Sequence, residues 1–154
     1  MRRLRQWASA RLSGSAHEQA PVDLVGLGPG LTPSGDDLLC GALLALHAIG
    51  KVDASRDLHA AIAGVARSAT SPLSNAFLQA AAEGQSFETL HTMIIALLEY
   101  RPFAHDLEVL GRIGHTSGWD ALAGAAIVLQ ESSKGLTRSC RRGGLPLPNP
   151  PTPC

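Results

Sequence analysis

The sequence predicts an all-α fold, a single-domain antiparallel helical bundle of about six helices. Three observations carry that expectation. Apolar residues recur at helical spacing through successive windows, the windows begin and end on residues that start and stop helices, and the connections are short enough to join antiparallel neighbours. At 154 residues the chain can bury one hydrophobic core and is too short for two comfortable ones.

Residues 3–12 read as a short helix with Leu4, Trp7, Ala8 and Leu12 on one side. With the polar stretch from Ser13 to Ala20 they make an N-terminal helix and linker, 1–20. Val22 to Leu27 is a brief apolar run between Pro21 and Gly28 and is read as a short extended segment near 22–27. The main helices follow at 35–49, 54–69, 72–83, 86–99, 103–112 and 118–131. Gly50, Gly84 and Pro102 supply stops. Ser71 before Pro72 places a capping hydroxyl ahead of a residue whose missing N–H is harmless in the first turn. Gly41 and Gly124 interrupt helices, where glycine costs about 1 kcal/mol relative to alanine, so close helix packing is expected there. The helical domain is thus 21–131. Past it the composition shifts to Arg, Gly and Pro, and 132–154 is expected to be a disordered tail.

Charge and hydropathy exclude several functions. Lys plus Arg balances Asp plus Glu at 13 each, so no net field draws the domain to nucleic acid or to an anionic membrane. Arg2, Arg3 and Arg5 are not followed by the apolar stretch of a secretory signal. The longest apolar run, Leu38 to Ile49, is broken by Gly41 and His47 and falls short of the roughly 20 residues that cross a bilayer. Cys40, Cys140 and Cys154 are too few for a disulfide framework or a Cys-based zinc site, and a cytoplasmic location fits them. Cys40, His47, His59 and His91 read as packing or surface residues. Only 17% of residues are charged, which points to surface covered by a partner.

The chemistry concentrates in two segments that begin helices alike. Ser34-Gly35-Asp36-Asp37-Leu38-Leu39-Cys40-Gly41-Ala42 aligns without a gap on Ser117-Gly118-Trp119-Asp120-Ala121-Leu122-Ala123-Gly124-Ala125. Before the first, Gly28 and Gly30 allow tight turns, and Thr32 and Ser34 offer hydroxyls beside free helix amides. Before the second, His115, Thr116 and Ser117 do the same, with Gly118 and the Trp119 indole following. Thr70, Ser71 and Ser74 supply a third such end. A helix N-terminus attracts phosphate or carboxylate, so a small anionic metabolite is the expected ligand. The plainer alternative is that Ser34-x-x-Asp37 and Ser117-x-x-Asp120 are capping boxes with Asp in place of Glu. Asp36, Asp37 and Asp120 are also the carboxylates that would hold a magnesium ion, although no further acidic cluster completes a shell. No cofactor is otherwise indicated: the chain has no Walker loop, serine-hydrolase elbow or Rossmann fingerprint.

Leu24-Val-Gly-Leu-Gly-Pro-Gly-Leu-Thr-Pro-Ser-Gly-Asp-Asp37, Thr70-Ser-Pro-Leu-Ser74 and Ile113-Gly-His-Thr-Ser-Gly-Trp-Asp-Ala-Leu-Ala-Gly124 resemble the signature segments of the AllH-like family. The resemblance covers about 22–130 and matches the C-terminal helical part of a family whose members are usually longer. It implies a subunit of oxamate carbamoyltransferase, which in anaerobic allantoin breakdown moves a carbamoyl group between oxalurate, oxamate and carbamoyl phosphate, and therefore partner subunits. In that picture Thr32, Ser34, Thr116 and Ser117 bind oxygen atoms, while Asp37, Asp120 and His115 orient partners or move a proton. Two other function classes stay open: a non-catalytic module that binds a metabolite or partner protein, and a magnesium-dependent hydrolase with aspartates at its helix starts.

Overall fold

The computed structural model describes residues 1–15 and 18–142, with side chains as far as 134. The described residues form seven α-helices: α1 (Arg2–Leu12), α2 (Ser34–Ala48), α3 (Val52–Ala69), α4 (Pro72–Ala82), α5 (Glu88–Leu98), α6 (Ala104–Leu110) and α7 (Ser117–Arg142), with a single 3-10 turn at Val22–Leu24 and no strand. The all-α expectation holds, and each window read from the sequence corresponds to one of these helices.

α2 is the hub. It packs against α3, α4, α5 and α7, and Gly35–Leu39 and Gly41–Leu46 are all buried, which accounts for its apolar residues lying on every side rather than on one stripe. Its closest partner is α7. A methyl group at Gly41 would overlap the backbone carbonyl of Ala121, and one at Gly124 would overlap that of Leu38. The contact is reciprocal: the shift that aligns Ser34 with Ser117 also takes Leu38 to Ala121 and Gly41 to Gly124. Leu38 meets Gly124 and Gly41 meets Ala121, so the backbones of the two helices touch where they cross. The repeated Ser-Gly-x-Asp-x-Leu-x-Gly-Ala phrase is therefore a two-sided packing device. α3 and α4 cover another side of α2 through Leu58, Ile62, Leu78 and Ala81, and α5 adds Leu90, Met93 and Ile94.

Three local features differ from the sequence reading. Val22–Leu24 is a 3-10 turn; bonds from Leu24 N–H to Pro21 O and from Val25 N–H to Val22 O (3.1 and 3.2 Å) let Leu24 and Val25 both enter the core, which a straight extended run, alternating its side chains, would not do. Ser34 is not a cap. Pro33 takes the N-cap position with no side-chain cap bond, and at the second site the Thr116 carbonyl accepts from Asp120 N–H (2.9 Å), leaving Ser117 inside the helix. Ser71 is a cap, accepting from Ser74 N–H at 3.0 Å with proline in the first turn. Finally, α7 continues to Arg142 rather than ending near 131, and no proline falls between Ser117 and Pro146 to break it. The rest of the expected tail, 143–154, lies outside the described residues, as do residues 16 and 17 of the linker. No helix among the described residues is long and apolar enough to cross a membrane.

Candidate functional site

Positive-φ backbone at Gly26, Gly28 and Gly30 folds the segment before α2 into a tight loop held by Asp36. The Asp36 carboxylate is wholly buried and accepts from Gly26 N–H (2.8 Å), from the Ser74 hydroxyl (2.7 Å) and from the Thr70 hydroxyl. Ser71 adds a bond from its hydroxyl to the Leu31 carbonyl. One carboxylate thus ties the loop, the start of α2 and the start of α4 together, and Thr70, Ser71 and Ser74 are spent in that knot. The first amides of α2 are spent too: Gly35 N–H donates to Leu27 O (2.8 Å), and Asp36 and Asp37 N–H donate to Pro33 O. The amides of Gly35, Asp36 and Asp37 are thus taken by the protein's own carbonyls rather than left for an anion.

What the knot positions is Thr32. Its hydroxyl lies 3.0 Å from the Ser117 hydroxyl, across 85 positions of sequence, so the two helix starts converge. Asp37 sits beside this pair and is 8% exposed. Burial pushes its carboxyl above the ordinary range; the Ser117 hydroxyl opposes that, the charges of Asp120 and Asp36 push further up, and the Thr32 hydroxyl again opposes. Asp37 Oδ2 and Asp120 Oδ2 are buried oxygens with no hydrogen-bond partner.

Thr32, Asp37 and Ser117 form the polar end of a cavity of about 480 Å³, within the usual size for a small-molecule site. Cys40 lies beside them, and Phe77, Phe87, Leu90, Ile113 and Ala121 supply an apolar wall. Among the described residues no Lys, Arg or His lines it. Burial, then Asp37 and Asp36, pushes the Cys40 thiol well up, so the thiol is a poor nucleophile there.

Of the residues singled out from sequence, Thr32, Asp37 and Ser117 line this cavity, and Asp120 acts on Asp37 from beside it. Gly28 and Gly30 shape the loop, Gly35 packs against the Leu24 carbonyl and Gly118 against that of Leu110. Ser34, His115 and Thr116 are not among the lining residues, and His115 and Thr116 are exposed. Trp119 lies over Gly111 instead of the cavity. Among the described residues no group of three or more His, Cys, Asp or Glu is arranged around a metal position. The sequence reading assigned Cys40 to packing or the surface and gave Phe77, Phe87, Leu90 and Ile113 no site role. Cys40, three positions after Asp37 on the same helix, carried a signal, whereas the others look like ordinary core positions until the fold turns them inward.

The chain matches the family described as oxamate carbamoyltransferase subunit AllH over residues 24–129. It belongs to the AllH family. No solved structure matches the chain. The matched span opens at Leu24, the buried end of the 3-10 turn, and holds both helix starts, the Asp36 knot and every lining residue of the cavity. The AllH match thus coincides with the structural unit that builds the cleft.

Proposed function

We propose that this AllH-family chain is one subunit of a carbamoyl-transferring assembly, and that the cleft between the starts of α2 and α7 holds a small metabolite by its amide end. The observation that carries the reading is the contact between the Thr32 and Ser117 hydroxyls beside the buried Asp37 carboxyl. A carbamoyl or oxamate amide offers N–H donors and one carbonyl acceptor. Asp37 accepts from the former, and whichever hydroxyl of the Thr32–Ser117 pair is not donating to the other donates to the latter. Leu90 and Ala121 in the wall are buried, and an apolar surround strengthens those bonds. A ligand's carboxylate or phosphate finds no cation among the described lining residues, so on this reading that charge is met at the cleft mouth, by a partner subunit. Leu31, Leu73 and Phe77 are exposed apolar side chains on the loop and helix that frame the mouth, and they suit such a contact. The setting is the cytoplasm, and the substrates are small products of purine breakdown.

Isothermal titration with oxamate tests this. Oxamate is expected to bind the chain, alone or with its copurifying partners, and Ser117→Ala or Thr32→Val to weaken binding about tenfold, the worth of one hydrogen bond. No heat with oxamate, oxalurate or carbamoyl phosphate in either preparation would remove the proposal.

A further inference from the structure

Asp37 and Asp120 bring two carboxylates to the same place from two helices, and each leaves one buried oxygen without a hydrogen-bond partner. Asp36, their neighbour, is different: three donors satisfy it. Among the described residues none of the three aspartates takes part in an ion pair, and every charged group acting on Asp37 is another carboxylate. Buried carboxylates in native proteins are paired or bound to metal, because desolvating a lone charge is costly. Next to the two aspartates the Thr32 and Ser117 hydroxyls meet at 3.0 Å, adding neutral oxygen donors.

We propose that Asp37 Oδ2 and Asp120 Oδ2, with the Thr32 and Ser117 hydroxyls, form a site for one hard divalent cation of the magnesium class. The donors are all oxygen, which suits magnesium or manganese over zinc. Two carboxylates neutralise the ion's charge. Magnesium ordinarily takes one or two protein carboxylates and keeps several waters, and the adjoining cavity of about 480 Å³ has room for them. The donor set differs from the three aspartates indicated by sequence: Asp36 is withdrawn into the loop knot and the two hydroxyls replace it. The ion takes Asp37, Thr32 and Ser117, the side chains that the proposed function gives to an amide, so the test uses metal alone, without oxamate.

The test uses the full chain stripped of metal, with manganese as the probe, followed by electron paramagnetic resonance and competed by magnesium. One manganese ion is expected per chain, displaced by magnesium, with the melting temperature rising as either metal is added. Asp120→Asn keeps the shape, removes one charge and is expected to lower manganese affinity about tenfold or more. Ser117→Ala, checked for native helicity by circular dichroism, is expected to lower it by a smaller factor. Absence of bound manganese at millimolar concentration overturns the proposal. So does binding that is unchanged in both variants, which would place the ion elsewhere.

Discussion

Asp36 buries its carboxylate under three donors, whereas Asp37, one residue on, buries one oxygen with none. The sequence presents them as an equivalent pair, and the fold assigns them opposite work. Asp36→Ala strands the Gly26 amide and two hydroxyls, and is expected to cost about 3 kcal/mol, read as a lower urea midpoint with unchanged slope; a loss below about 1 kcal/mol would deny its role as the knot. Asp37 carries a pH dependence of definite sign. Its folded-state pKa is raised, chiefly by burial, so the folded protein holds its proton more tightly than the unfolded chain. That stabilisation is complete below the unfolded value, near 3.8, and is lost as pH rises through the folded value. In metal-free buffer, melting temperature measured across that range should fall more for the wild type than for Asp37→Asn. Parallel curves would contradict the assignment. Ser71 is a simpler case: Ser71→Ala loses a helix cap and the bond to Leu31 and is expected to cost about 1 kcal/mol by thermal melting.

At the scale of elements, the crossing of α2 and α7 makes the cleft possible. Two glycines let the backbones touch, and the touching point lies one turn inside each helix, which brings Asp37 and Asp120 together. Gly41→Ala gains about 1 kcal/mol of helix propensity but drives a methyl into the Ala121 carbonyl, and is expected to destabilise by about 2 kcal/mol net. Gly64→Ala in α3 is the control: its added methyl meets nothing, so the propensity gain should appear as stabilisation. If Gly41→Ala behaves like Gly64→Ala, the close crossing is wrong. The helices, the Ser71 cap and the small-residue crossing were legible in the sequence because each rests on local grammar: periodicity, a hydroxyl before proline, glycine inside a helix. The misread starts at Ser34 and Ser117 share a cause. A Ser-x-x-Asp phrase fits a capping box equally well whether the serine stands outside the helix or within it, and only the bonds to the Pro33 and Thr116 carbonyls decide.

For the whole molecule, the cleft is a property of tertiary arrangement. Its polar end was legible as two separate helix starts, but that Thr32 would reach Ser117, while His115 and Trp119 stayed outside the lining, depends on how α2 and α7 cross. The apolar wall from Phe77 to Ile113 was illegible for a related reason: residues on α4 and α5 face the cavity with the same spacing that would face a solid core. The convergence is what every functional inference rests on, and amide-resolved NMR during an oxamate titration examines it directly. Resonances of Thr32–Cys40 and of Gly114–Ala121 should move together with one dissociation constant, while those of α3 stay still. Shifts confined to one of the two segments, or two segments saturating at different concentrations, would mean that the helix starts serve no common site.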